Sequence, residues 1–193
     1  MEFAAQTALI VVDCQNDFSD PAGSLYVRGA EAVIEAVNAA IDDAIAAGAP
    51  VFYTQDWHPE KTAHFKEYGG IWPVHCVAGT WGAEFHPALV QVGEVVRKGT
   101  NGEDGYSGFT MRDPVSGAEV PTKLDALLRE SKIESVVVSG LALDYCVNAT
   151  AIDAVRLGYR TVVPVGLTAA VELEAGDASA ALAQIQESGA EVT

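Results

Sequence analysis

The sequence predicts an α/β protein with a mostly parallel, Rossmann-like sheet of six strands between two layers of helices. Short apolar runs rich in β-branched residues alternate along the chain with longer segments whose apolar residues recur at helical spacing. This alternation is typical of parallel strands joined by helices that pack on both faces of the sheet. The apolar runs are continuous, as expected for strands buried on both faces. The predicted architecture is therefore a three-layer α/β/α sandwich.

Each predicted element has its own pattern. Apolar runs predict six strands: Thr7–Val12, Val51–Thr54, a strand at Val95 and Val96 that ends at Lys98, Val136–Val138, Arg160–Pro164, and a last edge strand at Ala190–Thr193. Helical spacing predicts four helices: Ala30–Ala47, Leu124–Arg129, Tyr145–Leu157 and Ala178–Gln186. Three of these helices are closely followed by a glycine, which is common at helix ends. Long loops are predicted at 14–28, 56–93 and 99–121.

Composition limits the class of protein and its partners. The chain has 193 residues, of which 49% are hydrophobic and 20% charged, so we expect one globular domain over 1–193. A formal net charge of −16 disfavours binding to nucleic acid or to an anionic membrane surface. The three cysteines are widely spaced, and neither a secretory signal nor a membrane-spanning apolar stretch is recognisable. We therefore expect a soluble cytoplasmic protein, and the sequence leaves open whether it forms a homo-oligomer.

The predicted loop 56–93 differs from the rest of the chain. It holds all four histidines and all three tryptophans, and it has little periodicity. Loops of this length inside a domain are usually functional, so we expect an insertion that forms a lid and a metal site. Carboxylate and imidazole groups are ligands for zinc, manganese or iron. The candidate ligands are Asp56, His58, His64 and His75. Solvated surface histidines are the alternative, and His86 is expected to be structural.

Three residues at predicted strand ends could carry out nucleophilic chemistry. Asp13, Lys98 and Cys146 all follow or end a predicted strand, where parallel sheets place their ligand sites. Cys146 is predicted in the first turn of a helix, where unpaired N–H groups favour a thiolate and can hold an oxyanion. Asp13 could accept the thiol proton, and Lys98 could stabilise both anions. Taken singly, each residue could instead be structural, with Cys146 a small packed thiol.

Aromatic residues accompany these candidates. Phe18, Trp72 and Tyr106 flank them in the sequence and could form a flat wall for an aromatic substrate. Ordinary packing in the core or the lid is the alternative for each ring.

Five motifs, in this order, resemble the nicotinamidases (pyrazinamidases), which belong to the isochorismatase-like cysteine hydrolases. The motifs are Ala8–Asp13 with Gln15–Phe18, Asp56–His58 with His64, Trp72–Cys76, Lys98–Gly99 with Tyr106–Phe109, and Gly140–Ala142 with Asp144–Val147. The resemblance covers nearly the whole chain and implies the isochorismatase-like hydrolase fold. It also implies hydrolysis of nicotinamide, and of pyrazinamide, through a cysteine thioester, in NAD salvage.

The resemblance assigns a role to each matching residue. It implies Cys146 as the nucleophile, Asp13 as the general base and acid, and Lys98 as the electrostatic partner of Asp13. The backbone N–H groups of Ala142 and Cys146 would form the oxyanion hole, and Leu141 would join the aromatic residues in the substrate pocket. The peptide between Leu141 and Ala142 would be cis. The four metal ligands would bind one divalent ion, zinc in the first place, with iron or manganese as alternatives.

Two residues depart from the family pattern, and three other functions stay open. Tyr145 stands where relatives often have His, which could alter the pocket, and Gly166 stands where an acidic residue is common. The nearest alternative is another amide or carbamoyl hydrolase of the same superfamily. The others are a hydrolase in which the metal alone activates water, and a non-enzymatic metal-binding or thiol-sensing protein.

Overall fold

A computed structural model describes residues 3–193. Within this range the strands are β1 (Thr7–Val12), β2 (Val51–Asp56), β3 (Glu94–Lys98), β4 (Thr110–Arg112), β5 (Glu119–Pro121), β6 (Ser135–Leu141), β7 (Arg160–Val163), β8 (Thr168–Ala169) and β9 (Glu191–Val192). The α-helices are α1 (Asn16–Ser19), α2 (Ala30–Ala46), α3 (Leu124–Glu130), α4 (Asn148–Arg156) and α5 (Asp177–Ser188). In the same range, no helix combines the length and the hydropathy needed to cross a bilayer.

The main sheet is parallel throughout, in the order β3-β2-β1-β6-β7-β9, with β8 pairing to the end of β6. The predicted α/β class is confirmed, and the six predicted strands are the six that follow one another across the sheet. The short strand β8 makes a seventh, which the six-strand prediction lacked because two residues give no readable pattern. Strands β4 and β5 form a separate antiparallel hairpin within the segment that was predicted as a loop.

Two hydrophobic cores fill the space between the sheet and its helices. Along β1, Ala8, Ile10 and Val12 face one core, whereas Leu9 and Val11 face the other, because successive side chains of a strand point to opposite faces. Helices α3, α4 and α5 pack on the first face, and α2 packs on the second. Both faces of the central strands are therefore buried, which explains their continuous apolar runs.

The strand order reverses between β1 and β6. From β1 the chain builds the sheet outward to β2 and β3, and it then returns to place β6 on the other side of β1. At such a switch point the connections leave in opposite directions and open a crevice beyond the carboxyl ends of the strands. Asp13 follows β1 at this crevice, and the segment after β6 leads to Cys146.

Gly140, near the end of β6, permits the close approach of β6 to β1. Its φ is +101°, and an added Cβ would lie 2.2 Å from the carbonyl oxygen of Val12. Only a residue without a side chain avoids both the strained backbone and the steric overlap.

Gly140→Ala should therefore lower the free energy of unfolding by about 2–5 kcal/mol, from backbone strain and overpacking together. Gly166→Ala is the matched control, because an added Cβ there meets nothing within 4 Å and should change stability by less than about 0.5 kcal/mol. Urea unfolding followed by circular dichroism measures both. Equal stabilities for the two variants would contradict this account of Gly140.

Candidate active site

Cys146 lies in a single π-helical turn, Leu143–Val147, that joins β6 to α4. The helical segment thus begins two residues before the predicted start at Tyr145, and the first turn is π rather than α. The side chain is buried, and burial raises the thiol pKa well above its usual value, although the Lys98 charge opposes this shift. Desolvation thus opposes the influence of the helix start, which favours a thiolate, and leaves a thiol whose proton must be removed before it attacks.

Lys98, the last residue of β3, carries the cationic charge of the site. Its ammonium nitrogen lies 2.9 Å from Asp13 Oδ2 and 3.6 Å from Cys146 Sγ, and it also donates a hydrogen bond to Asp56 Oδ1. Burial alone would lower its pKa, but Asp13 and Asp56 raise it well above the usual value. Lys98 is 1% exposed and stays charged, because two carboxylates replace the water it has lost.

Asp13 is the buried carboxylate beside the thiol. Its backbone φ is +47°, a left-handed conformation that turns the side chain into the crevice where β1 ends. Oδ1 accepts a hydrogen bond from Thr54 Oγ1 at 2.7 Å, whereas Oδ2 accepts none of good geometry and is ion-paired to Lys98. Burial raises the pKa of Asp13, and Lys98 and Thr54 oppose this shift. One carboxylate oxygen of Asp13 lies within 4.8 Å of Cys146 Sγ and of an Asp56 oxygen, so the Asp13 carboxylate is close to the thiol.

Asp56, the last residue of β2, connects this group to the histidines. Its Oδ1 faces Lys98, and its Oδ2 lies 3.7 Å from His58 Nε2. Burial would raise its pKa, but Lys98 and His58 outweigh burial and hold it well below the usual value. The side-chain amide of Gln15 fixes the Asp56 backbone, donating to its carbonyl at 2.7 Å and accepting from its N–H at 2.8 Å. Asp56 is thus a fixed carboxylate shared by two sites.

Three buried histidines form the second site. Each of these histidines, His58, His64 and His75, has one ring nitrogen that lies within 4.8 Å of a ring nitrogen of the other two. Both ring nitrogens of His58 are buried without a hydrogen-bond partner. Burial lowers the pKa of His75 to about 4, so its ring is neutral. Neutral imidazoles beside a carboxylate suit a divalent metal ion, and an ion would satisfy the unpartnered nitrogens of His58. The residues therefore fit the metal that the sequence predicted, and His86 lies outside this cluster.

Hydrogen bonds orient the rings of His64 and His75 and leave one nitrogen of each ring available to bind a metal ion. His64 Nδ1 donates to Asp104 Oδ1 at 2.7 Å, and His75 Nδ1 donates to the Pro73 carbonyl at 2.8 Å. The acceptors carry no proton, so each Nδ1 must be protonated, and Nε2 is the ring nitrogen left to face a metal ion. The hydrogen bond from His64 lowers the pKa of Asp104.

Sequence reasoning missed Asp104, because an acidic residue in a glycine-rich loop 40 positions from His64 carries no local signal. The structure places it through the β4–β5 hairpin. The Asp104 N–H donates to the carbonyl of Arg112, the last residue of β4, at 2.9 Å.

A small, mainly apolar pocket leads to Cys146. The four residues predicted to line it do so: Phe18, Trp72, Tyr106 and Leu141. Tyr145, which was expected from the sequence to affect the pocket, also lines it, as do Leu25 and Val171, which were not predicted.

Three of the rings pack against one another in this pocket. The Trp72 indole donates to the Tyr106 hydroxyl at 3.1 Å, and the Tyr145 ring packs edge-on against Trp72 with centroids 4.8 Å apart. Tyr145, the departure from the family pattern, is therefore part of the pocket.

The predicted oxyanion residues border the same pocket. Ala142 and Cys146 both line it, and the peptide between Leu141 and Ala142 is cis, as the resemblance implies. The carbonyl of Ala142 accepts the N–H groups of Tyr145 and Val147 at 3.1 and 3.0 Å. These bonds hold the π turn in place beneath the pocket.

A neutral thiol, a carboxylate base and a fixed cation at the end of an aromatic pocket are the groups that covalent catalysis by cysteine requires. The fold and these groups are together typical of a hydrolase. The chain belongs to the isochorismatase family, whose model, described as the isochorismatase domain, matches residues 7–193.

Proteins of known sequence and structure are similar over nearly the full chain. A nicotinamidase/pyrazinamidase of Mycobacterium tuberculosis is 42% identical over 175 residues, which cover 86% of this chain and 88% of the relative. PnC1 from L. infantum in complex with nicotinate is 36% identical with a TM-score of 0.88, covering 100% of this chain and 95% of that one. The pyrazinamidase of Pyrococcus horikoshii in complex with zinc is 35% identical with a TM-score of 0.85, covering 97% and 98%.

Asp104→Ala should weaken zinc binding by about 10–100-fold, because His64 would lose the partner that fixes its tautomer and ring orientation. Competition with a chromophoric chelator measures the affinity. Glu119→Gln is the matched control, because it removes an exposed carboxylate from the same hairpin and should leave the affinity unchanged. Equal affinities of wild type and Asp104→Ala would show that Asp104 does not support the histidine cluster.

Proposed function

We propose that the protein is a nicotinamidase that hydrolyses nicotinamide, and also pyrazinamide, to the ring carboxylic acid and ammonia, with nicotinic acid then available for NAD salvage. The observation that carries this proposal is the buried cluster of Cys146, Asp13 and Lys98 at the end of a pocket lined by aromatic rings. A flat aromatic carboxamide suits this pocket, with its amide toward the thiol. The relatives named above support the same substrate.

The first step is attack by Cys146 on the amide carbon. The thiol is neutral at rest, so its proton must leave as the bond forms, and the Asp13 carboxylate is the acceptor at hand. The burial-raised pKa of Asp13 makes it a stronger base than an ordinary carboxylate. Lys98 keeps its positive charge throughout this step. That charge stabilises the negative charge both when it is on the Asp13 carboxylate and when it is on the Cys146 sulfur.

The carbonyl oxygen becomes negatively charged in this step. We assign the backbone N–H groups of Ala142 and Cys146 as its donors, because both residues border the pocket at the sulfur. Removing one such donor typically costs about 3 kcal/mol of transition-state stabilisation.

Collapse of the tetrahedral intermediate breaks the carbon–nitrogen bond. Asp13 returns its proton to the nitrogen, which leaves as ammonia, and a thioester to Cys146 remains. Water then attacks the thioester carbon while Asp13 takes one of its protons. The carbon–sulfur bond breaks, the proton returns to sulfur, and the carboxylic acid leaves. One water is consumed, and Cys146 and Asp13 regain their starting states.

The proposed metal ligands are His58, His64, His75 and Asp56. When bound, a divalent ion supplies a Lewis acid beside the pocket, and zinc is the ion we propose. His64 and His75 line the pocket as well as the cluster, so the ion would border the substrate. Asp56 lies between Lys98 and His58, so its negative charge would partly offset the charges of both the ammonium group and the ion.

We further propose that 56–93 is the lid of a single domain over 1–193. Trp72 and His75 come from this segment and reach the pocket, which supports the proposal. All three cysteines are free thiols, in keeping with the predicted cytoplasmic location, which stays a prediction together with any homo-oligomer.

Cys146→Ala and Cys146→Ser should each lower ammonia release from nicotinamide by more than about 10³-fold, since both remove the nucleophile that forms the thioester. A coupled ammonia assay on wild type and variants, with metal content determined for each, makes this test. If Cys146→Ser retained most of the wild-type rate, the result would favour the alternative in which the metal alone activates water. Failure of the metal-loaded wild type on nicotinamide would contradict the proposed substrate.

Thr54→Val should move the acid limb of the kcat/KM profile to higher pH. The Thr54 hydroxyl lowers the pKa of Asp13, so its removal raises that pKa, and the base is then lost to protonation at a higher pH. Thr161→Val is the control, because it removes a buried hydroxyl that donates to the Tyr159 carbonyl at 3.1 Å. An acid limb that stays in place, or moves to lower pH, would rule out Asp13 as the titrating base.

A further inference from the structure

Asp144, two residues before the nucleophile, holds a distant segment of the chain. Its Oδ1 accepts the backbone N–H of Val171 at 3.0 Å, and its Oδ2 accepts the N–H of Glu172 at 2.8 Å. Hydrogen bonds to an ionised carboxylate are stronger than those between neutral groups, and two together fix both the position and the orientation of the segment.

The segment held in this way, 170–176, connects β8 to α5 without regular structure. At its start, Ala169 of β8 pairs with Leu141 of β6, so the segment leaves the sheet beside the pocket. Glu172 has a φ of +55°, a conformation that a residue with a side chain adopts only when its surroundings impose it. The Asp144 carboxylate accepts the N–H of that same residue, so it helps to hold this conformation.

Val171 brings this segment into the substrate pocket. Its side chain lines the pocket together with Cys146 and Tyr145. Valine is branched at Cβ and has few rotamers, so the position of its backbone determines the position of its side chain in the pocket wall. The two hydrogen bonds from the segment to Asp144 set that backbone position.

We propose that Val171 is a specificity-determining residue, which limits the size of the aromatic ring the pocket accepts, and that Asp144 is the positioning residue that holds it there. The preferred substrates are then carboxamides of unsubstituted six-membered aromatic rings, and a methyl group at the ring position that faces Val171 is disfavoured by contact with it. This inference rests on the proposed amide hydrolysis. It adds to that proposal the residues that decide between one ring and another.

The test compares kcat/KM for nicotinamide with kcat/KM for nicotinamides methylated at each ring carbon in turn. Val171→Ala should raise the relative value for at least one methylated analogue by about tenfold or more, the usual scale for one methyl group in an apolar pocket. Asp144→Ala should favour the same analogue and raise KM for nicotinamide more than it lowers kcat. Asp144→Asn, which keeps one acceptor oxygen, should fall between wild type and Asp144→Ala.

A double variant separates positioning from general damage. If Asp144 acts through Val171, the double variant Asp144→Ala/Val171→Ala should show the selectivity of Val171→Ala alone, because the two changes affect one wall. Asp177→Ala is the matched control. Asp177 accepts the N–H of Glu174 at 2.9 Å, so it holds the same segment three residues beyond Val171.

Three outcomes would overturn the inference. The first is unchanged selectivity in Val171→Ala, which does not depend on how well the Asp144 variants fold. The second is a uniform fall of kcat for all substrates in Asp144→Ala. The third is an Asp177→Ala variant whose selectivity shifts as much as that of Asp144→Ala. A metal-loaded wild type that hydrolyses none of the amides would instead refute the proposed function, and this inference with it.

Discussion

The buried ammonium group of Lys98 is the constraint on which the rest of the site depends. An unpaired charge at a site so well excluded from solvent would cost several kcal/mol of stability, so the fold must bring carboxylates to it. It does so with Asp56, which ends β2, the neighbour of β3, and with Asp13, which follows β1, the next strand across the sheet. The ends of three neighbouring strands are thereby fixed relative to one another, and their arrangement is at once structural and chemical.

The same charge decides which protonation states are available. Burial pushes the pKa values of Asp13 and Cys146 upward, while Lys98 opposes both shifts. The resulting pair is a neutral thiol beside a carboxylate of raised basicity, so the proton can move when the substrate is attacked and return afterwards. Asp56 differs because its second oxygen faces His58, and its pKa stays low. Two carboxylates next to one lysine thus have different properties, and the shared Asp56 couples the thiol site to the histidine site.

Individual residues show which parts of the fold and the site could be predicted from the sequence. Asp13, Lys98 and Cys146 could be placed at one edge because continuous apolar runs identify parallel strands, whose carboxyl ends share an edge. Phe18, Trp72, Tyr106 and Leu141 were predicted for the pocket, and all of them line it. Asp104, Asp144 and Val171 could not be predicted. Each acts through a contact with a residue 27 or more positions away, and local sequence patterns do not report contacts at that separation.

By itself, the sequence determined the α/β class, the approximate strands and helices, and the residue types available for chemistry, because periodicity and side-chain chemistry are local properties. Only the tertiary structure decided the strand order, the pairing of β8 with β6 and the hairpin that carries Asp104. It also decided how strongly burial opposes the influence of the helix start on the Cys146 thiol. The helix-start argument considers only the backbone around the residue, whereas the pKa of a buried thiol depends on how much water the whole fold excludes.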